Sequence, residues 1–257
     1  AERYAKFEDI AIRESSICVA NSRATRADFE SRYNPPPNWD CEVVHWGVDT
    51  EMFRPLDIEN EQENRNFTEI RTRFGAVSPG SKLLLAVGRL AARKGYGTLI
   101  RGFSALNKEM PNTKLVIVGR GHLKRRLMRL AKSLGVGEDV TIESSLSFAE
   151  LAQLYRSSDL VVYPSFYEGQ GLIPLEAMAS GVPVVTVDHG PLPEMVDESV
   201  GALFTMGNIE SMVSVMKEVL KAGRKKGEKG RARVLQKFTY SGNAESFENI
   251  YLEAINR

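Results

Sequence analysis

The run Leu160-Val161-Val162-Tyr163-Pro164-Ser165-Phe166-Tyr167-Glu168-Gly169-Gln170-Gly171-Leu172-Ile173-Pro174-Leu175-Glu176-Ala177-Met178-Ala179 decides the fold. Its short continuous apolar start predicts a strand over Leu160–Tyr163, covered on both faces. A flexible loop with two glycines follows, and an apolar helix is predicted over Leu172–Ala179. The same strand-loop-helix unit recurs around it. Further strands are predicted at Lys82–Val87, Lys114–Val118, Val140–Ile142 and Val182–Val187, with helices at Gly97–Lys108, Leu123–Leu134 and Phe148–Tyr155. Strands alternating with helices of this length predict βαβ units and a parallel sheet. The fold class is α/β, a doubly wound Rossmann-like parallel sheet starting near Lys82. Ligands of such folds lie beyond the carboxyl ends of the strands, so the loops there carry the chemistry.

Upstream, Ala1–Glu14 has helical character and Ser16–Ala20 is a strand candidate. Ser22 caps a helix to about Tyr33, which Pro35-Pro36-Pro37 ends. Cys41–Trp46 is a second strand candidate, closed by Gly47. Asp57–Asn66 is acidic and Asn-rich and reads as an exposed linker, with a short helix over Thr68–Phe74. Downstream, Glu210–Lys221 and Tyr240–Ile255 read as closing helices. The chain does not begin with Met and opens within a helical pattern, so it is expected to start inside a longer protein.

The 257 residues carry 34 Lys and Arg against 33 Asp and Glu, a net charge of +1 that gives no overall pull toward nucleic acid. Two cysteines, Cys18 and Cys41, and three histidines make no zinc motif and read as thiols in a reducing compartment. No apolar run approaches the ~20 residues of a membrane span, and no signal peptide is visible, so a cytoplasmic location is expected.

Four loops are chemical candidates. Gly88-Arg89-Leu90-Ala91-Ala92-Arg93-Lys94-Gly95 places Arg89, Arg93 and Lys94 after a strand, where fixed cations suit a diphosphate and neutralise it as a leaving group. A solvated loop turned by Gly95 is the equal alternative. Val118-Gly119-Arg120-Gly121 lets backbone approach a ligand, or simply packs tightly. Its third fingerprint position is Lys124 rather than glycine, which weakens an NAD reading. Backbone N–H groups at Gly169, Gln170, Gly171 and Leu172 open a helix and can hold phosphate or sugar oxygens. Glu168 precedes them, and Glu176 sits about 7.5 Å further along the helix axis at ~1.5 Å per residue. Helical side chains tilt toward the N-terminus, so Glu176 can aim at a ligand there, where a carboxylate grips paired hydroxyls. In its apolar surroundings it needs a partner. In Val187–Glu194, His189 reads as structural more readily than as a ligand contact, and Glu194 as a helix-terminal charge.

Taken in order, these motifs resemble the group-one, GT4-like family of retaining glycosyltransferases with the two-domain GT-B fold. The matching segments are Glu42–Pro55, Gly88-Arg89 to Lys94-Gly95, Val116–Gly121, Pro164-Ser165 with Glu168 and Glu176 as an E-x7-E pair, and Glu176–Val185. The resemblance implies a nucleotide-diphosphate sugar donor and no metal or other cofactor. It implies that Arg89 and Lys94 neutralise the diphosphate, that Glu168 contacts the donor sugar and that Glu176 holds the ribose. Gly88, Gly119, Gly121 and Ser145 would border the nucleotide, and Gly169, Gln170, Gly171 and Leu172 would offer backbone donors. The acceptor would be a saccharide, a lipid-linked or a small molecule. The family commonly has Phe-Gly where Gln170-Gly171 stands, Glu-Lys-Gly where Arg93-Lys94-Gly95 stands, and glycine where Ser144-Ser145 stands.

The resemblance also implies boundaries. Residues 1–46 would be the last elements of an N-terminal acceptor domain that is otherwise missing. Residues 47–80 would be the crossing and linker, 81–239 the nucleotide-sugar-binding domain, and 240–257 a helix packing back toward the first domain. The rival readings are a donor-binding fragment or partner subunit inactive alone, and an NAD-dependent oxidoreductase. A peripheral membrane contact is a further reading. Leu123, Leu127, Leu130 and Leu134 line one face of a helix carrying Arg125, Arg126, Arg129 and Lys132, and a second basic run spans Lys221–Lys237. Helices docked on the sheet with snorkelling cations are the favoured alternative.

Overall fold

The computed structural model describes residues 2–257, with side chains from Lys6 onward; Ala1 of the predicted first helix lies outside them. Helix α1 (Glu2–Glu14) precedes strand β1 (Cys18–Ala20), helix α2 (Arg23–Tyr33) and strand β2 (Cys41–Val43). β1 and β2 pair in parallel with Cys18 opposite Cys41. Cys41 is buried and its thiol is pushed up to about 11, by burial first. Cys18 is half-buried and accepts from Trp39 Nε1 at 3.2 Å.

The main body is a six-stranded parallel sheet in the order β5-β4-β3-β6-β7-β8. Its strands are β3 (Lys82–Val87), β4 (Thr113–Val118), β5 (Val140–Glu143), β6 (Leu160–Tyr163), β7 (Val184–Val187) and β8 (Gly201–Phe204). Leu83 to Ala86 and Leu160 to Val162 are wholly buried, because helices cover both faces. Helices α4 (Tyr96–Glu109), α5 (Lys124–Ser133) and α9 (Ile209–Ala222) pack together on one face. Helices α3 (Glu61–Arg73), α6 (Phe148–Ser157), α7 (Leu172–Ala179) and α10 (Lys225–Lys237) form the other layer. The short α8 (Leu192–Met195) links β7 to β8, and α11 (Tyr240–Asn256) closes the chain.

The structure differs from the sequence reading at the linker and at β8, and it gives the second basic run the helix expected of it. The Asp57–Asn66 linker ends at Asn60, whose side chain accepts from the N–H groups of Gln62 and Glu63 and starts α3 seven residues before Thr68. Glu63 then pairs with Arg54 and Arg156, so its acidic character serves packing rather than solvation. Strand β8 was not predicted, because its four residues carry only weak apolar periodicity. The run Lys225–Lys237 is a helix whose two glycines are its contact points. A Cβ on Gly227 would lie 2.0 Å from the Gly181 carbonyl oxygen, and one on Gly230 would lie 3.0 Å from Met178 Cγ.

The chain passes between its two parts twice at one place. Val48 N donates to Phe238 O at 2.9 Å, and a Cβ on Gly47 would sit 2.4 Å from Thr239 O. One guanidinium nitrogen of Arg231 bonds the carbonyls of Thr50, Phe53 and Ala179, each at 3.0 Å, pinning the crossing to the end of α7. From Thr239, α11 runs to the β1–β2 layer. There Asn243 donates to His45 O at 2.9 Å and Arg257 pairs with Asp40.

Candidate functional site

The sheet order reverses between β3 and β6, since β4 and β5 extend one way and β7 and β8 the other. Loops diverge at such a point and leave a crevice at the strands' carboxyl ends. The loops that flank it here are Gly88–Gly95 and Pro164–Gly171. They approach so closely that a Cβ on Gly95 would lie 2.1 Å from Pro164 O, and Gly95 has the left-handed φ of 69° that glycine accepts without cost.

This approach brings Lys94 and Glu168 together. The buried Lys94 ammonium pairs with Glu168 Oε1 and donates to the Tyr163 hydroxyl at 2.9 Å. Ser165 donates to the same carboxylate oxygen. Arg93 stands 3.6 Å from it and donates to Tyr167 O at 2.9 Å. The contacts of Lys94, Ser165 and Arg93 with Glu168 all fall on Oε1; among the described residues Oε2 has no partner. The Arg89 side chain makes no hydrogen bond or ion pair among the described residues, and the residue is exposed. Burial, with the Glu168 charge next, raises the Tyr163 hydroxyl far above its ordinary value, so it stays a neutral donor and acceptor.

Glu176 has the partner its apolar setting demands. Tyr155 donates to its Oε2 at 2.6 Å, while Oε1 is uncommitted among the described residues. Burial raises the Glu176 carboxyl above 4.5, against the bond from Tyr155. Gly169, Gln170, Gly171 and Leu172 have no acceptor within the protein for their N–H groups among the described residues. The Gln170 side chain is committed elsewhere. It is buried, with Oε1 accepting from Trp46 N at 2.6 Å and Nε2 donating to Trp46 O at 3.0 Å. The Gln170 side chain is thus part of the scaffold, and only its backbone N–H is left for the donor role expected of it.

Gly119 and Gly121 serve the tight-packing alternative. A Cβ on Gly119 would lie 1.9 Å from Gly88 O, and one on Gly121, at φ 157°, 2.5 Å from Leu90 O. They seat the loop carrying Arg89. Ser145 is exposed, and its N–H and that of Ser144 turn back to Glu143 Oε1 at 3.1 and 2.7 Å. The serines thus cap a carboxylate where the family commonly has glycine.

Several contributors were not singled out from sequence. Tyr163 and Ser165 lie in the quoted run, but only the fold shows that both meet Glu168. Glu194 is no mere helix-terminal charge. It accepts from the N–H groups of Arg23 and Ala24 at 3.0 and 2.9 Å and from His45 Nε2 at 3.0 Å, capping α2 from across the molecule. Gly169 O accepts from Ser22 and Thr25 at 2.7 and 3.0 Å. A cleft of about 360 Å³ opens between α2 and this loop, lined by Asn21, Asp28, Phe29, Glu168 and His189 among others. Asn21 Oδ1 is buried there without a partner among the described residues. Among the described residues no group of three His, Cys, Asp or Glu side chains is arranged to hold a metal ion.

A reversed parallel sheet, a crossing at Gly47 with its return at Thr239, and an E-x7-E pair at the switch point define the carboxyl-terminal half of a GT-B architecture. The chain belongs to the glycosyl transferases group 1 family, which matches residues 68–234. It is 30% identical over 251 residues to the D-inositol 3-phosphate glycosyltransferase of Segniliparus rotundus, covering 95% of this chain and 54% of that protein. It is 31% identical over 227 residues to the GDP-mannose-dependent alpha-(1-6)-phosphatidylinositol monomannoside mannosyltransferase of Mycolicibacterium smegmatis, covering 85% of this chain and 56% of that one. The chain thus spans about half the length of these relatives. Its fold is shared with the crystal structure of Anabaena HepE in complex with UDP and glucose, at a TM-score of 0.85 and 19% identity over 98% of this chain and 68% of that one.

Proposed function

We propose that this chain supplies the donor site of a glycosyltransferase that moves a sugar from a nucleotide-diphosphate donor with retention of anomeric configuration. The observation that carries this reading is the cluster at the switch point. A buried ammonium, a carboxylate with one free oxygen and a row of unpaired N–H groups converge at the start of a helix. Lys94 and Arg89 hold the diphosphate and neutralise the charge that grows as the bond from the anomeric carbon to the phosphate oxygen breaks. The N–H groups of residues 169–172 bind phosphate and sugar oxygens. Glu168 Oε2 accepts from sugar hydroxyls, and Glu176 Oε1 accepts from the ribose. The acceptor hydroxyl attacks from the face the diphosphate leaves, and its proton passes to the departing phosphate oxygen. No step requires a metal or other cofactor. The relatives support a sugar-nucleotide donor by their names, one with GDP-mannose and the fold neighbour with UDP, so the base is decided by titration. The rest of the protein completes the acceptor site, and transfer by this chain alone is not expected.

The test is calorimetric titration with UDP, GDP and ADP and their sugar conjugates, on wild type and Glu176→Ala. One nucleotide should bind in the micromolar range, and the variant should lose ~1–3 kcal/mol. Equal affinity of the variant would remove Glu176 from the site. Binding of NAD instead would favour the oxidoreductase reading.

A further inference from the structure

Charge is distributed unevenly along this chain. Between Ala91 and Ser133 there are eleven Lys and Arg against one carboxylate, Glu109, in a protein whose net charge is +1. Glu109 is already paired with Lys217. Within the segment Lys94 and Arg93 face Glu168, and Lys114 pairs with Asp139. Arg101 on α4 and Arg125, Arg126, Arg129 and Lys132 on α5 have no carboxylate within 4.0 Å among the described residues, and all are exposed.

The leucines of α5 do not face outward. Leu127 is buried, and Leu123, Leu130 and Leu134 pack on the core, so the apolar face is spent on the sheet. What remains outside is a cationic band with Met128 exposed within it. Beside it lies a groove of about 580 Å³ between α4 and α5. Arg101, Arg126 and Arg129 rim the groove, Leu123 and Leu130 floor it, and Phe166 of the Glu168 loop closes one end.

We propose that this α4–α5 face docks on the anionic phospholipid surface of a membrane, with lipid phosphates bound by Arg101, Arg126 and Arg129. Guanidinium forks match phosphate oxygens, and the apolar floor suits the glycerol and upper acyl region of a lipid. The band adsorbs rather than inserts, since its helix has already buried its leucines. Among the described residues the groove's aromatic side chains are the buried Tyr96 and the half-buried Phe166 at one end, with none fully exposed to stack successive bases, which favours lipid over single-stranded nucleic acid. The second basic run, on α10, lies in the opposite helical layer, so one flat membrane cannot engage both. Docking here is independent of the donor-site reading, though it sets the Glu168 loop beside the lipid surface.

The test is co-sedimentation of the protein with vesicles of phosphatidylglycerol and phosphatidylcholine, and with pure phosphatidylcholine. Wild type should bind only the anionic vesicles at low salt and be released at high salt. The double variant Arg126→Glu/Arg129→Glu should weaken binding at least about twentyfold, at roughly fivefold for each cation lost. The double variant Lys225→Glu/Lys229→Glu, on the other layer, should bind as wild type does. Circular dichroism on both confirms folding. The proposal is overturned if neutral vesicles bind equally, if the α5 variant keeps its binding, or if the α10 variant loses as much. It is also overturned if a single-stranded oligonucleotide binds the same face more tightly in the same buffer.

Discussion

Lys94 and Glu168 meet across the divergence of β3 and β6, in an ion pair that the Tyr163 hydroxyl joins at 2.9 Å from the ammonium. Neither side chain has more than an eighth of its surface exposed, so each is the other's nearest counter-charge in a largely dry setting. Lys94→Met should lower nucleoside-diphosphate affinity roughly ten- to hundredfold, the loss of one charge-assisted contact. It should also cost about 3 kcal/mol of stability by leaving Glu168 buried beside only the more distant Arg93. Calorimetry and denaturant unfolding read the two effects separately. Unchanged affinity in a destabilised variant would make the pair purely structural.

Glu176 gives the binding a pH dependence. Burial holds its carboxyl above the ordinary 4.5, so a neutral fraction persists where exposed glutamates are already ionised. The carboxylate is the stronger acceptor for ribose hydroxyls, so nucleotide affinity should rise with pH through this raised value. For folding the sign is opposite. The neutral form is favoured in the native state, so stability falls as pH rises from 4.5 through the native value. In Glu176→Gln both slopes should vanish. Persistence of the binding slope would place the titrating group elsewhere.

Gln170 tests the division between scaffold and site. Its carboxamide makes two hydrogen bonds to the Trp46 backbone and closes the loop against the crossing. Gln170→Ala should destabilise the protein by about 2 kcal/mol, two net hydrogen bonds, while nucleotide affinity changes less than about threefold. A large affinity loss with unchanged stability would return the side chain to the ligand.

Gly119→Ala should be among the most damaging single substitutions. The added methyl meets Gly88 O at 1.9 Å, and both partners are backbone, so strands or loop must move. A loss of about 3 kcal/mol or more is expected in thermal unfolding, with weaker diphosphate binding because the Arg89 loop shifts. Gly97→Ala, where the backbone is likewise not left-handed and the added carbon meets only Leu130 Cδ2 at 4.0 Å, is the control without a clash.

Glu194 couples the two parts of the chain to acid. Burial pushes its carboxyl up, but the N–H groups of Arg23 and Ala24 and the ring of His45 outweigh it and hold it below 4.5. Its contribution is therefore complete above 4.5 and lost as pH falls through the lower native value. Glu194→Ala should cost about 1–2 kcal/mol near neutrality, as for a lost helix cap, and the difference from wild type should shrink in acid. A constant difference down to pH 2 would refute the cap.

The sequence by itself determined the elements whose signals are local. Continuous apolar runs gave five of the six strands of the main sheet, and the hydroxyl of Ser22 marked the start of α2, because hydrophobic periodicity and capping act over a few residues. Loop positions after β3, β4 and β6 followed, and with them Arg89, Lys94 and Glu168 on loops at strand carboxyl ends and Glu176 on the helix that follows the last of them. The tertiary structure alone decided what those residues touch. Nothing within a few residues of Glu194 announces that it caps α2, and nothing near Gln170 announces Trp46. The glycines of α10 weaken a helix locally and become legible only where Gly227 lies against Gly181. The basic runs looked alike as text and fell on opposite layers, because sheet topology, not composition, assigns a helix to its face. Contacts between residues far apart in sequence are set by how the parallel strands are ordered, and no single stretch of the chain encodes that order.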